Sequence, residues 1–379
     1  MRAGLSSIRI KSHDHGFALR IGELKRARIG LVGTGWWATT THLPALQAHP
    51  DAEIIAICDL DADKARKTAH VFGIDSIYGE FETMLKRESL DGVMVATHHA
   101  AHYPVAKACL ERGRHVFIEK PMTLCAKQAR DLVDLAASKQ RQIVMGYNSN
   151  HSPLAIRARD VVRSGELGAV QYINGLFSQH IRPLLAGEDV VHHARLHGPG
   201  DVYGDPIRSG GGHGHLQITH LAGMAFFITG LRVARVHSLM ANHGLKVELA
   251  IAILAELDGG ALANFGGCSN LPGGGRSFGL TITCEQGWIE FDDSQGRLII
   301  RREGEEPERT DDRAFADSHQ DLDFAPTHNF VDVILGRAEN HSDGVIGWRA
   351  VELLDAAYRS AGQGGAGVSR DELYAEQTS

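Results

Sequence analysis

The feature that most constrains this chain is a short apolar run, Ala27–Val32 (ARIGLV), followed at once by Gly33-Thr34-Gly35-Trp36-Trp37-Ala38. This is G-x-G-x-x-A at the end of a β-rich segment, and the residues after it, through Leu46, read as helix. Gly33 permits the tight turn, Gly35 lets backbone come close to a pyrophosphate, and the small Ala38 lets the helix lie near the strand. Phosphates would then sit at the helix N-terminus, where free N–H groups and the dipole favour anions. The glycine pattern alone is weak, because glycine turns are common. Its position between strand and helix gives it weight.

A second run, Glu53–Cys58, ends at Asp59, 21 residues beyond Ala38. An acid there accepts hydrogen bonds from ribose hydroxyls and repels a 2′-phosphate, which predicts NAD rather than NADP. The alternative role for Asp59 is to cap the helix starting near Asp61. Lys64 and Arg66 nearby leave NADP as the lesser option. Helical stretches (62–72, 81–86, 103–112, 124–139) then alternate with apolar runs (92–96, 115–118, 142–145). That alternation predicts βαβ units and a parallel, doubly wound Rossmann sheet over residues 27–148. Cofactor binds at the carboxyl ends of such strands. Thr97-His98-His99, Glu119-Lys120-Pro121 and Gly146-Tyr147-Asn148 are therefore expected around one crevice.

From about residue 149 the pattern changes. One helix (153–164) precedes strand candidates at 170–177, 233–241, 247–256, 261–268, 278–285, 287–292 and 297–301. Their period-2 alternation and close turns predict an α+β domain over 149–379 with a large, open, mostly antiparallel sheet. A one-layer sheet needs its far face covered, which predicts a homodimer or homotetramer. The closing helices, about 325–361, are expected to pack back on the first domain. Residues 1–26 read as an extension.

At 379 residues the chain is long enough for two cores. A net charge of −7 gives no electrostatic footprint for nucleic acid, and no apolar run is long enough to cross a bilayer. The five cysteines (Cys58, Cys109, Cys125, Cys268, Cys284) are odd in number and scattered, which predicts a reducing, cytoplasmic compartment.

The run DGVMVATHHAAHYPVAKACLERGRHVFIEKPMTL (91–124), with Glu119-Lys120-Pro121 at its end, resembles the corresponding block of the glucose–fructose oxidoreductase/inositol dehydrogenase (Gfo/Idh/MocA) family and its E-K-P motif. RSGELGAVQYING (163–175) and NFVDVILGRAENHSDGVIGWRAVELLDAAYRSA (329–361) resemble that family's entry to its second domain and its closing helices. The resemblance implies an NAD-dependent oxidoreductase that moves a hydride between nicotinamide and a secondary hydroxyl of a sugar, glycoside or cyclitol. It implies that Lys120 contacts the nicotinamide ribose region and the reacting oxygen. A lysine at a strand end, partly desolvated, suits that task because it stabilises alkoxide character. Taken without its context, E-K-P would be a surface turn with a solvated ion pair.

The second constellation is Gly210-Gly211-Gly212-His213-Gly214-His215-Leu216-Gln217-Ile218-Thr219-His220. Family members usually carry D-x-x-x-H here, and the final histidine matches His220, a natural general base at neutral pH. Leu216 stands at the aspartate's position, a departure from the pattern. Lys120 and His220 are the expected catalytic pair, with His215 and Gln217 binding substrate or relaying protons. Seven histidines fall between His180 and His220, including His193. No ligand-spacing motif accompanies them, so no metal is expected.

Other cofactor candidates are Trp36, Trp37, His98, His102 and Asn148. Asn150, His180 and His193 join the substrate candidates. Two alternative functions remain open at this point. One is redox-assisted glycoside cleavage, needing a further base such as His180, His193, His213 or Tyr203. The other is a non-catalytic nucleotide sensor, against which the retained Lys120 and His220 argue.

Overall fold

The computed structural model describes residues 26–188, 196–312 and 319–375. The chain forms two sheets. The first has six strands, β1 (Ala27–Val32), β2 (Ala52–Cys58), β3 (Ser76–Tyr78), β4 (Gly92–Val95), β5 (His115–Ile118) and β6 (Ile143–Met145). They lie in the order β3-β2-β1-β4-β5-β6, and every neighbouring pair is parallel. Between them run α1 (Leu43–Ala48), α2 (Ala62–Phe72), α3 (Phe81–Arg87), α4 (His102–Glu111) and α5 (Ala126–Lys139). The run Val93-Met94-Val95 is fully buried, as is Val116-Phe117-Ile118. A parallel sheet is covered on both faces, so its strands read as unbroken apolar runs. Strand β3 is not among the apolar runs read from the sequence. It has three residues and sits at the sheet edge, too short to show an apolar period.

The second sheet has nine strands: β7 (Val170–Gln179), β8 (Val233–Ala241), β9 (Ala250–Leu257), β10 (Leu262–Cys268), β11 (Arg276–Cys284), β12 (Gly287–Asp292), β13 (Arg297–Arg302), β14 (Glu308–Asp311) and β15 (Val368–Ser369). Their order is β14-β13-β12-β11-β7-β10-β9-β8-β15. All pairs are antiparallel except β7 with β10. Burial alternates along β9 from Ile251, with Ile251, Ile253 and Ala255 buried and their neighbours exposed. One face is therefore covered and the other is not. The covered face meets α6 (Pro153–Ser164) and two helices from later in the chain.

Two short helices, α7 (Arg182–Leu185) and α8 (Pro206–Ser209), lie in the long connection after β7. Helix α9 (Thr219–Thr229) is buried on nearly every side chain. A helix apolar all round belongs inside a core, and here it fixes His220 on a rigid element. It is preceded by a wide π turn, Gly214–Ile218. Two closing helices come last, α10 (His319–Ile334) and α11 (Gly344–Gly362). Helix α10 packs on the first sheet, with Phe330 edge-on to Phe117 at 5.8 Å between ring centres. Helix α11 packs against α5, α9 and β8. No helix among the described residues is long and apolar enough to cross a membrane.

Candidate active site

A cleft of about 880 Å³ opens where the carboxyl ends of all six parallel strands meet the second sheet and its helices. From the first sheet it is lined by Gly33 and Gly35 after β1, Asp59 after β2, Gly79 after β3, Thr97 and His98 after β4, Glu119 and Lys120 after β5, and Gly146 and Asn148 after β6. Gly33 has φ of +94°, and a Cβ there would come within 2.6 Å of Ala96 O. At Gly35 a Cβ would meet nothing within 4 Å, so the space above that turn is open. Asp59 accepts from the backbone N–H (2.7 Å) and hydroxyl (2.8 Å) of the buried Thr34, and from the N–H of Asp61 (2.9 Å). A carboxylate offers about four acceptor positions, so one is left for a ligand. The cap of α2 is Asp61, not Asp59.

Two buried ring nitrogens of cleft-lining residues, Trp36 Nε1 and His98 Nδ1, have no hydrogen-bond partner among the described residues. Buried polar groups are normally satisfied, so such atoms point to a ligand or water. Trp37 lines the cleft beside Trp36, with 5.7 Å between their rings. Open glycine turn, acid after β2 and unpartnered ring nitrogens together fit a dinucleotide.

Lys120 and Pro121 are joined by a cis peptide bond. Lys120 Nζ points to the main-chain oxygen of Leu216 at 3.4 Å. Burial draws the ammonium's pKa below its usual value, against the pull of Glu119 and Asp323. Glu119 is itself buried and accepts from His42 Nε2 (2.9 Å) and from the N–H of Lys120 (3.0 Å). The other His42 nitrogen meets the Thr327 hydroxyl at 2.9 Å. Burial raises the Glu119 pKa, but His42 and Lys120 outweigh it and the net shift is downward, so the carboxylate stays charged. Gly146 is needed beside it, since a Cβ would lie 2.5 Å from Glu119 Oε1. His102 reaches two carbonyls, Pro121 O (2.8 Å) and Thr97 O (3.1 Å), and ties the loop after β4 to the E-K-P turn. A neutral imidazole can donate to only one of them.

Opposite stand Leu216, Gln217 and His220. Burial first, then the charges of Lys120 and Arg276, push the His220 pKa well below the usual value. The ring is therefore neutral at pH 7 and able to accept a proton. The acceptor that Lys120 meets at position 216, where the family motif has its aspartate, is backbone. Gln217 Nε2 donates to Gln179 Oε1 at 3.4 Å.

Several lining residues are not singled out by the sequence: His42, Phe177, Gln179, Arg276 and Asp323. His42 lies a few positions after the glycine motif, which is a usable signal; the others carry none.

The remaining sequence candidates divide. Asn148 donates to Asp323 Oδ1 at 2.9 Å and lines the cleft, as does Tyr203. Asn150 is fully buried and is not on the lining; its Nδ2 meets Ser342 Oγ at 3.4 Å. His215 is likewise absent from the lining, with its ring stacked on Tyr358 at 4.4 Å. His215 stands five residues before His220, and at about 100° per residue that spacing alone puts the two on different faces of the helical stretch. His180 is exposed at the end of β7 and also lies off the lining. His213 is held between Ser269 Oγ (2.7 Å) and Phe177 O (2.9 Å). His193 lies outside the described residues. No metal-holding cluster of His, Cys, Asp and Glu occurs among the described residues.

Residues 27–147 match the model for the oxidoreductase family, NAD-binding Rossmann fold, and residues 155–290 match the GFO/IDH/MocA C-terminal domain. The dTDP-3,4-didehydro-2,6-dideoxy-alpha-D-glucose 3-reductase of Streptomyces antibioticus is 32% identical over 158 residues, which is 42% of this chain and 48% of that protein. The D-xylose 1-dehydrogenase (NADP(+)) 2 of Haloferax volcanii is 32% identical over 149 residues, 39% of this chain and 45% of that protein. The chain thus matches about half the length of these relatives. Among solved structures, an inositol dehydrogenase homologue from Azotobacter vinelandii complexed with NAD+ superposes with a TM-score of 0.75 at 18% identity, covering 91% of this chain and 97% of that one. With both domain models matched in order along the chain, this protein belongs to the Gfo/Idh/MocA family of oxidoreductases, whose Rossmann domain binds NAD.

Proposed function

We propose that the protein interconverts a secondary hydroxyl and a ketone on a sugar, glycoside or cyclitol, with NAD as redox partner. The observation that carries this reading is that Lys120 and His220, from different domains, line one cleft with the glycine turn and Asp59. When bound, NAD supplies the hydride acceptor. Lys120 holds positive charge toward the reacting oxygen, and its depressed pKa keeps the cost of sharing a proton low. His220, neutral by burial, takes the hydroxyl proton. Glu119, fixed by His42, offsets the Lys120 charge and anchors its backbone N–H. Gln217 and Gln179 offer hydrogen bonds to the other hydroxyls of a polyol. All five cysteines are free, in keeping with a reducing, cytoplasmic setting.

The test is to mix purified protein with NAD and a panel of sugars, glycosides and inositols, following NADH and products together. NADH with a ketone product is expected, and Lys120→Ala should lower kcat by about 10²–10³-fold while NAD still binds. Aglycone released without NADH would instead assign redox-assisted cleavage, for which Tyr203 is the one described, cleft-lining member of the four extra bases considered. Bound NAD with neither signal across the panel would count against both.

A further inference from the structure

One cation on the cleft wall is not used by the chemistry above. Arg276 comes directly after the glycine run 273–275 at the start of β11 and lines the cleft at the His220 end. Its guanidinium lies over the ring of Phe177 at 5.3 Å and of Phe278 at 4.9 Å. Those two rings are stacked on each other at 4.3 Å and 11°. Nη2 makes an ion pair of 2.9 Å with Asp293, a carboxylate whose side chain is 2% exposed and which is not on the cleft lining. The aromatic face and the ion pair together hold the planar fork still. Arginine has five N–H donors, and among the described residues its one ion pair, with Asp293, leaves most of them over. The acids that line the cleft, Asp59, Glu119 and Asp323, are spent at β2, on His42 and against Asn148. Among the described residues, no other acid lines the cleft.

A neutral polyol needs hydrogen-bonding groups of both senses but no fixed guanidinium. A rigid fork that faces the cleft with unused donors is built for an oxyanion. We infer that Arg276 is an anion-binding residue of the substrate site, so that the substrate carries a carboxylate or phosphate besides the hydroxyl that reacts. The inference rests on the oxidoreductase reading above for what the bound molecule undergoes, but not for what is bound. Lys120 serves the reacting oxygen and Arg276 the anionic group, and His220 feels the charge of both.

The experiment is calorimetric binding to the NAD-loaded protein of matched pairs: D-glucuronate with D-glucose, D-galacturonate with D-galactose, D-glucose 6-phosphate with D-glucose, and myo-inositol 1-phosphate with myo-inositol. At least one anion should bind about tenfold more tightly than its neutral partner, as one charge-assisted contact supplies. Preference among the uronates assigns a sugar acid, and preference among the phosphates a phosphorylated substrate. Arg276→Gln should bring the ratio within about twofold with NAD affinity unchanged. Should that variant fail to fold, Arg276→Lys keeps the charge without the fork and should lose most of a carboxylate preference. No preferred anion in the wild type, or a preference that survives both substitutions, overturns the inference. A preferred anion that yields no NADH would sink the proposed reaction and leave the binding role standing. NADH from neutral sugars with no anion preferred would do the reverse.

Discussion

A histidine that is to accept a proton must first be neutral, and His220 is kept so by burial and by two neighbouring cations. Its pKa is lowered, so its protonated form appears only at a pH below the ordinary value of 6.5. Activity that needs the free base should therefore hold as pH falls through 6.5 and decline only below it. His220→Asn should lower kcat by about 10²–10⁴-fold and abolish that acidic limb in a pH–rate profile. A wild-type profile that already falls by half at pH 6.5 or above would contradict the assignment. Lys120 and His220 are legible in the sequence because each sits in a short motif whose meaning is local. Arg276 and Asp323 are not, since nothing nearby in sequence marks them. The His42–Glu119–Thr327 chain spans 77 and 285 positions, and no local pattern encodes a contact of that reach. His215 misleads for another reason: standing next to Leu216 in sequence does not put its side chain on the face that meets the cleft.

Among the elements, the nine-stranded sheet shows what alternation can and cannot say. The strands expected from alternation recur within a few residues, because one buried face imposes period 2. The parallel pairing of β7 with β10 is invisible to that period, which is blind to direction. The uncovered face is also informative. In register across β8, β9, β10, β7 and β11 run rows of Leu239, Ala252, Gly266, Leu176 and Gly279, and of His237, Leu254, Asn264, Asn174 and Thr281. Leu239 is 65% and Leu254 60% exposed. A broad face with exposed leucines and no acid, lysine or arginine in its two central rows suits a second copy of itself across a twofold axis. Leu254→Glu should convert a dimer or tetramer to smaller species in analytical ultracentrifugation; a wild type that sediments as a monomer at micromolar concentration refutes this.

At the scale of the molecule, burial holds a set of histidines in the neutral state. His151 and His215 are pushed down to about 3 and His213 to about 4, while His99 and His102 are also lowered. In the unfolded chain each titrates near 6.5, so between that value and its folded pKa the unfolded state binds the extra proton. Stability is then full above about pH 6.5 and falls as pH drops. The loss is about 1.4 kcal/mol per pH unit for each group fully titrating in the unfolded chain. Thermal melts should show a level Tm from pH 8 to 7 and a steady fall from pH 6.5 towards 4. Carboxylates such as Glu119, lowered from 4.5, add their own loss only below that value. A Tm unchanged between pH 7 and 5 would mean that these rings are hydrated or already charged in the folded protein.

The contact between Lys120 and the Leu216 carbonyl bears on how such a site drifts over generations. Main-chain oxygen is indifferent to the residue that carries it, so exchange of one letter at position 216 leaves this acceptor in place. An insertion or deletion within Gly214–Ile218 would not, because each residue gained or lost rotates one end of the helical stretch against the other by about 100°. Ancestry at this corner of the cleft is therefore written in the length of a turn rather than in its spelling.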